Sequence, residues 1–170
     1  ERSVRGWSAR MLYDWQKEAV NRIHGKNAIM SAPTGSGKTW VAYRWSGLMD
    51  EEGNASLSSA QRVIFTAPIK ALSNERYLDL RRMGFDVGLE TGDFTKNSGA
   101  SVLCCTQEIY TLKYAQLPNQ RVIIDEFHFI FASPERTRAY IDGIRATSPE
   151  SMLLVMSATF GDPQTVQDYL

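Results

Sequence analysis

The segment Ala32-Pro-Thr-Gly-Ser-Gly-Lys-Thr39 has residue types and a spacing suited to holding a phosphate. Gly35 and Gly37 let a backbone turn tightly enough for successive N–H groups to converge on one anion. A helix beginning after Gly37 adds the positive end of its dipole to them. The segment fits the phosphate-loop pattern, with alanine at the first place where the general motif has glycine. Lys38 is then expected to reach the β- and γ-phosphates and the Thr39 hydroxyl to ligate magnesium, with Pro33, Thr34, Gly35, Ser36 and Gly37 forming the cradle. The alternative is an ordinary glycine-rich turn ahead of a helix.

Val122-Ile-Ile-Asp-Glu-Phe-His128 supplies complementary chemistry, an apolar strand that delivers adjacent carboxylates at its C-terminal end. Asp125 is placed to bind magnesium, directly or through water, and Glu126 to orient and deprotonate an attacking water. A solvated acidic strand end is the alternative, and the phosphate loop upstream on the same sheet favours the functional reading. Other chemistries are excluded by composition. Cys104 and Cys105 are neighbours inside an apolar run and read as buried thiols. His24 and His128 are the only histidines, too few for a histidine-rich metal centre.

The elements that must position these residues follow from periodicity. Leu12, Trp15, Ala19, Val20 and Ile23 recur at helical spacing and predict a helix over 14–24, closed by Gly25. The run 28–30 predicts a buried strand before the glycine loop, and Val41, Ala42, Trp45, Leu48 and Met49 share one helical face after it. Residues 51–60 are small and polar and predict a surface loop, a candidate mobile stretch. Short apolar runs at 63–67, 87–89, 102–105, 122–124 and 153–156 predict strands, with helices over 71–83, 107–116 and 136–146 between them. Nearly continuous rather than alternating apolar strands imply a mostly parallel sheet with helices on both faces.

A chain of 170 residues suits one α/β domain, burying roughly two thirds of its unfolded surface. The 43% hydrophobic and 22% charged fractions are those of a globular protein rather than a disordered one. Nineteen basic and nineteen acidic side chains cancel, so a nucleic-acid partner must be held by local phosphate contacts rather than a global field. No stretch approaches the roughly 18 uninterrupted apolar residues of a membrane span. The first ten residues lack a signal peptide's apolar core, so an intracellular, cytoplasmic protein without membrane partners is expected.

In order, the chain carries Trp15-Gln16, APTGSGKT at 32–39, APIKALSNERY at 67–77, TGD at 91–93, TQE at 106–108, DEFH at 125–128 and SAT at 157–159. Over nearly its whole length it resembles a superfamily 2 helicase, in particular the first RecA-like domain of a superkiller-type (Ski-like) DExH-box helicase. His128 looks like the DExH rather than the DEAD pattern, and PIKALSNERY followed by TGD is more similar to the superkiller type than to the DEAH or viral types. Phe127 departs from the usual valine or cysteine, and Glu135-Arg136-Thr137 from the usual Arg-Gly pair.

The resemblance implies a single RecA-like P-loop domain over 1–170, with ATP and Mg2+ as ligands, Lys38, Asp125 and Glu126 as catalytic residues, and Thr39 and Asp125 at the metal. It implies that Gln16 reads the adenine edge, the alternative being a surface helix glutamine; Trp15 is expected in the core. Pro68, Lys70, Asn74, Gly92 and Thr106 fall where the family grips the backbone of single-stranded nucleic acid, RNA favoured over DNA. A solvated helix terminus is the alternative for Lys70 and Asn74. His128, Ser157 and Thr159 are implied to couple the ATP site to the nucleic-acid face and the partner domain, simple capping being the alternative for the two hydroxyls. A second RecA-like domain, absent here, supplies arginine fingers in this family, whose loss costs about 10³ to 10⁵ in rate. The chain alone is therefore expected to bind nucleotide with little or no unwinding. A DNA translocase, or a nucleotide-gated binding module without turnover, are the competing functions.

Overall fold

The short apolar runs become strands because both of their faces can be buried. A computed structural model describes residues 2–4, 7–8, 13–32, 37–56 and 61–158. Its main sheet has seven strands in the order β3-β9-β8-β4-β7-β5-β6. They are β3 Ala28–Ser31, β4 Arg62–Ala67, β5 Val87–Thr91, β6 Phe94–Lys96, β7 Val102–Thr106, β8 Gln120–Ile124 and β9 Met152–Ser157. All neighbours pair parallel except β5 with β6. A separate antiparallel pair, β1 Arg2–Val4 with β2 Trp7–Ser8, has no counterpart in the sequence reading.

Parallel neighbours need crossovers, and the helices supply them. α1 Asp14–Ile23, α2 Lys38–Ser46 and α3 Lys70–Arg82 contribute Val20, Val41, Trp45, Tyr77 and Leu80 to one core layer, facing Val63, Phe65, Cys104, Ile123 and Leu154 of the sheet. The opposite layer packs Tyr110, Phe127, Ile130 and Tyr140 against Ile64, Leu103, Cys105, Val122 and Ile124. Successive strand residues thus alternate between two apolar layers, which is why the runs read as continuous. Cys104 and Cys105 point to opposite layers, and burial pushes the Cys104 thiol up to about 12 and the Cys105 thiol well above its ordinary value.

Three elements differ from expectation. The span 107–116 is one α-turn, α4 Gln107–Ile109, followed by a π-helix over Tyr110–Tyr114. The widened turn lies against α5, Pro134–Ala146: the Thr111 hydroxyl donates to the Ala139 carbonyl at 2.6 Å, and a Cβ at Gly143 would fall 2.4 Å from that hydroxyl. A 3-10 helix, Phe127–Phe131, follows the acidic pair directly. The strand β6 is short and exposed, and it returns from β5 through the turn Gly92-Asp93, with Thr91 pairing Phe94. Residues 51–53 form turns closed by a bridge between Met49 and Ala55, and 57–60 of the expected loop lie outside the described residues. Among the described residues, no helix is long and apolar enough to cross a membrane.

Candidate active site

Parallel strands end on one edge, and there the sheet gathers the reactive groups. β9 lies between β3 and β8, and the Ala32 N–H donates to the Ser157 carbonyl at 3.2 Å, so the start of the phosphate loop, Ser157 and Asp125 succeed one another along that edge. Lys38 and Thr39 form the first turn of α2, partly exposed, with no side-chain cap hydrogen bond among the described residues and no acidic residue in that turn. Gly37 precedes them in the left-handed region at φ 92°, and a Cβ there would lie 2.6 Å from Gln16 Nε2. Pro33, Thr34, Gly35, Ser36 and Thr159 lie outside the described residues.

Gln16 is buried, not a surface glutamine. Its Nε2 donates to the Gly37 carbonyl at 2.9 Å and its Oε1 accepts from the Tyr13 N–H at 2.7 Å, tying the start of α1 to the exit of the phosphate loop. Trp15, expected in the core, is 39% exposed. The buried stripe of α1 runs from Gln16 to Val20, one turn apart, and Trp15 falls at its margin.

β8 carries Asp125 and Glu126 out of its end. The Asp125 N–H donates to the Thr66 carbonyl at 3.2 Å, while Asp125 Oδ1 accepts from the Glu126 N–H at 2.8 Å. Glu126 itself holds a left-handed backbone, φ 56° and ψ 41°, a strained state for a residue with a Cβ. Tyr140 braces this corner: its hydroxyl donates to the Asp125 and Glu126 carbonyls at 3.4 and 3.3 Å, and its ring packs edge-on against Phe127, centroids 5.2 Å apart. Burial pushes the Tyr140 hydroxyl pKa far up, keeping it a donor.

His128 joins the acidic pair to the last strand. The Ala158 N–H donates to His128 Nδ1 at 3.2 Å, and Ser157 Oγ lies 3.5 Å from the same nitrogen. With Nδ1 accepting, the ring proton sits on Nε2, 3.1 Å from Glu126 Oε1. Ser157, His128 and Glu126 form one connected chain.

The groups assigned to nucleic acid occupy the continuation of this edge, where β4, β7 and β5 end in register. Lys70, Asn74 and Gly92 are exposed; Pro68 and Thr106 are buried. The Thr106 hydroxyl accepts from the Ile109 N–H and so caps α4. Lys70 Nζ pairs with Asp93 Oδ2 at 2.8 Å, and that hydrogen bond holds the Asp93 carboxyl below its usual range. Lys70, Asn74, Thr91, Asp93 and Phe94 line an open cavity of about 360 Å³.

Arg76, Tyr43 and Tyr140 were not foreseen. The signal for Arg76 was present: it lies within APIKALSNERY, three residues after Ser73 and four before Leu80, both buried on α3. Burial works against its charge, and the Tyr43 phenol and Asp125 carboxylate more than offset that, holding its pKa above the ordinary value.

A family model for DEAD/DEAH box helicases matches residues 13–168. The chain belongs to that family. Within the helicase family, it is 35% identical over 165 residues to the DExH-box ATP-dependent RNA helicase DExH9 of Arabidopsis thaliana, covering 94% of this chain and 16% of that protein. It is 39% identical over 126 residues to the human exosome RNA helicase MTR4, covering 71% of this chain and 11% of that protein. The chain thus spans a small part of these relatives. Among solved structures, that of Saccharomyces cerevisiae Dbp5 bound to RNA and ADP BeF3 superposes with a TM-score of 0.66 at 23% identity, over 91% of this chain and 42% of that one, which establishes the shared RecA-like fold.

Proposed function

We propose that this chain is the ATP-binding domain of an ATP-dependent RNA helicase, coupling hydrolysis to movement along single-stranded RNA. One observation supports the reading: the start of the phosphate loop, Ser157, Asp125 and the exposed start of α3 with Lys70 follow one another along a single sheet edge, and Ser157 and His128 connect to Glu126. The RNA helicase relatives and the RNA-bound structural neighbour favour RNA over DNA.

In this reading Lys38 and the free N–H groups at the start of α2 hold the phosphates, and Glu126 orients and accepts the proton of the attacking water. Gln16 serves the adenine edge in this reading only by exchanging its hydrogen bonds to Tyr13 and Gly37 for the base. Magnesium fits the donor set, since Thr39 and Asp125 offer hard oxygens. Among the described residues no group of three or more His, Cys, Asp or Glu could hold a metal unaided, as suits an ion that completes its shell with water and phosphate. When bound, magnesium supplies charge neutralisation to the transferring phosphoryl group. His128, Ser157 and Thr159 relay the state of Glu126 toward the RNA face and a second RecA-like domain, which supplies the arginine fingers.

The test is equilibrium binding of a fluorescent ADP analogue, with magnesium. Lys38→Ala is expected to lose affinity; equal affinity in that variant would place the nucleotide elsewhere. For the nucleic acid, replacing RNA by DNA of the same sequence in the full-length protein should weaken binding and ATPase stimulation. Unchanged values would leave the RNA preference unsupported.

A further inference from the structure

Arg76 reaches the acidic pair from α3, outside the phosphate-binding pattern. Its Nη2 lies 3.3 Å from Asp125 Oδ2, its Nη1 donates to the Tyr43 hydroxyl at 3.0 Å, and its guanidinium stands 5.4 Å from the centroid of the Phe65 ring. The side chains of Arg76 and Asp125 are only 19% and 12% exposed, so solvent screens the pair far less than a surface ion pair. Asp125 Oδ1 is already engaged by the Glu126 N–H, which makes Oδ2 the oxygen that Arg76 holds.

Beside the pair, between the end of β4 and α3, is a cavity of about 80 Å³ lined by Thr66, Ser73, Glu75 and Asp79 together with Arg76 and Asp125. The Thr66 and Ser73 hydroxyls are buried and meet no hydrogen-bond partner among the described residues. The space is polar and large enough for water, and Glu75 and Asp79 offer carboxylates to which a guanidinium leaving Oδ2 can turn.

We propose that Arg76 is a resident counter-ion of Asp125 that yields Oδ2 as magnesium is bound, and thereby sets how much magnesium the domain needs to retain nucleotide. The proposal rests on the assignment of Asp125 to magnesium. A cation brought to a carboxylate already neutralised by a guanidinium meets both competition for the oxygen and repulsion from the arginine. Removing that unit charge from a partly buried site raises metal affinity on the order of tenfold. Arg76 is a positioning residue, acting through Asp125 rather than on the substrate.

The experiment titrates magnesium into the chain with a fluorescent ADP analogue, from an EDTA baseline, and reads the magnesium midpoint for nucleotide retention. Arg76→Met and Arg76→Gln are expected to lower the midpoint about tenfold, leaving EDTA affinity unchanged. Arg76→Lys, which keeps the charge, is expected to retain the parent midpoint. Arg76→Gln keeps hydrogen bonding toward Tyr43 and Asp125, so it carries the test where the methionine variant unfolds. A midpoint unmoved or raised in the neutral variants, even with a lowered melting temperature, would overturn the proposal and leave Arg76 a structural residue. The underlying assignment fails separately: an Asp125→Asn variant with the parent's magnesium midpoint would remove Asp125 from the metal.

Discussion

Glu126 combines a strained backbone with a carboxylate tied to His128, and the two properties separate under mutation. Glu126→Gln preserves the side chain's size and the left-handed turn but cannot accept a proton. In the full-length protein it should retain nucleotide binding and lower ATP turnover by about 10² to 10⁴, read by steady-state phosphate release. Unaltered turnover would remove Glu126 from the chemistry. Gly37 makes a different demand, since an added Cβ would meet both the left-handed penalty and the Gln16 amide at 2.6 Å. Gly37→Ala should cost about 1–3 kcal/mol, measured by urea denaturation, and should weaken nucleotide binding by displacing the loop exit. The candidate site residues stand out in the sequence because each proposed role demands a particular side chain at a particular spacing. For Arg76 only its place within APIKALSNERY is visible; its partner is not, because a charged helix residue reads as solvated until tertiary packing places a carboxylate beside it.

At the level of elements, the β5–β6 hairpin carries Gly92 and Asp93 toward the face proposed to hold RNA, and its geometry depends on Gly88. A Cβ at Gly88 would sit 2.0 Å from the Asn97 carbonyl oxygen, a backbone atom with little freedom to yield. Gly88→Ala should therefore detach β6, seen as lost amide-exchange protection over Phe94–Lys96, while nucleotide affinity is retained. The π-helix is anchored differently. Glu90, buried on β5, accepts hydrogen bonds from Lys113 and from the Tyr114 hydroxyl. Burial alone would raise its carboxyl pKa; the Lys113 and Tyr114 hydrogen bonds outweigh that and hold it below 4.5. A depressed folded-state value means the contribution is present above the unfolded pKa and is lost as pH falls through the folded one. Urea midpoints should drop as pH falls below about 4.5, and Glu90→Gln should flatten that limb. Neither element was visible in the sequence: β6 is exposed and only three residues long, and a π-turn shares the apolar spacing of an ordinary helix too closely to be told apart.

For the molecule as a whole, the parallel sheet was readable because every buried strand lies between two apolar layers and so appears as an unbroken run. The place of the last strand is not legible locally, since nothing in 153–156 itself states that β9 inserts between β3 and β8; only the family resemblance, in whose domains that strand lies between those carrying the phosphate loop and DEFH, implied it. That insertion places Ser157 against the phosphate loop and His128 at once, and only chain-long packing specifies it. With a net charge of zero and contacts confined to one edge, RNA affinity should be weak and fall with salt, the logarithmic slope being about 0.7 per phosphate neutralised, measurable by fluorescence anisotropy. Salt-independent binding would contradict backbone recognition.

Cys104 and Cys105 give this architecture a built-in clock. Adjacent in the chain yet facing opposite layers, each thiol is shielded from a labelling reagent until its own layer opens. Mass spectrometry of alkylation at the two sites under native conditions would time the loosening of each side independently. Equal rates would mean that the layers part together in one cooperative event; unequal rates would reveal which side breathes first.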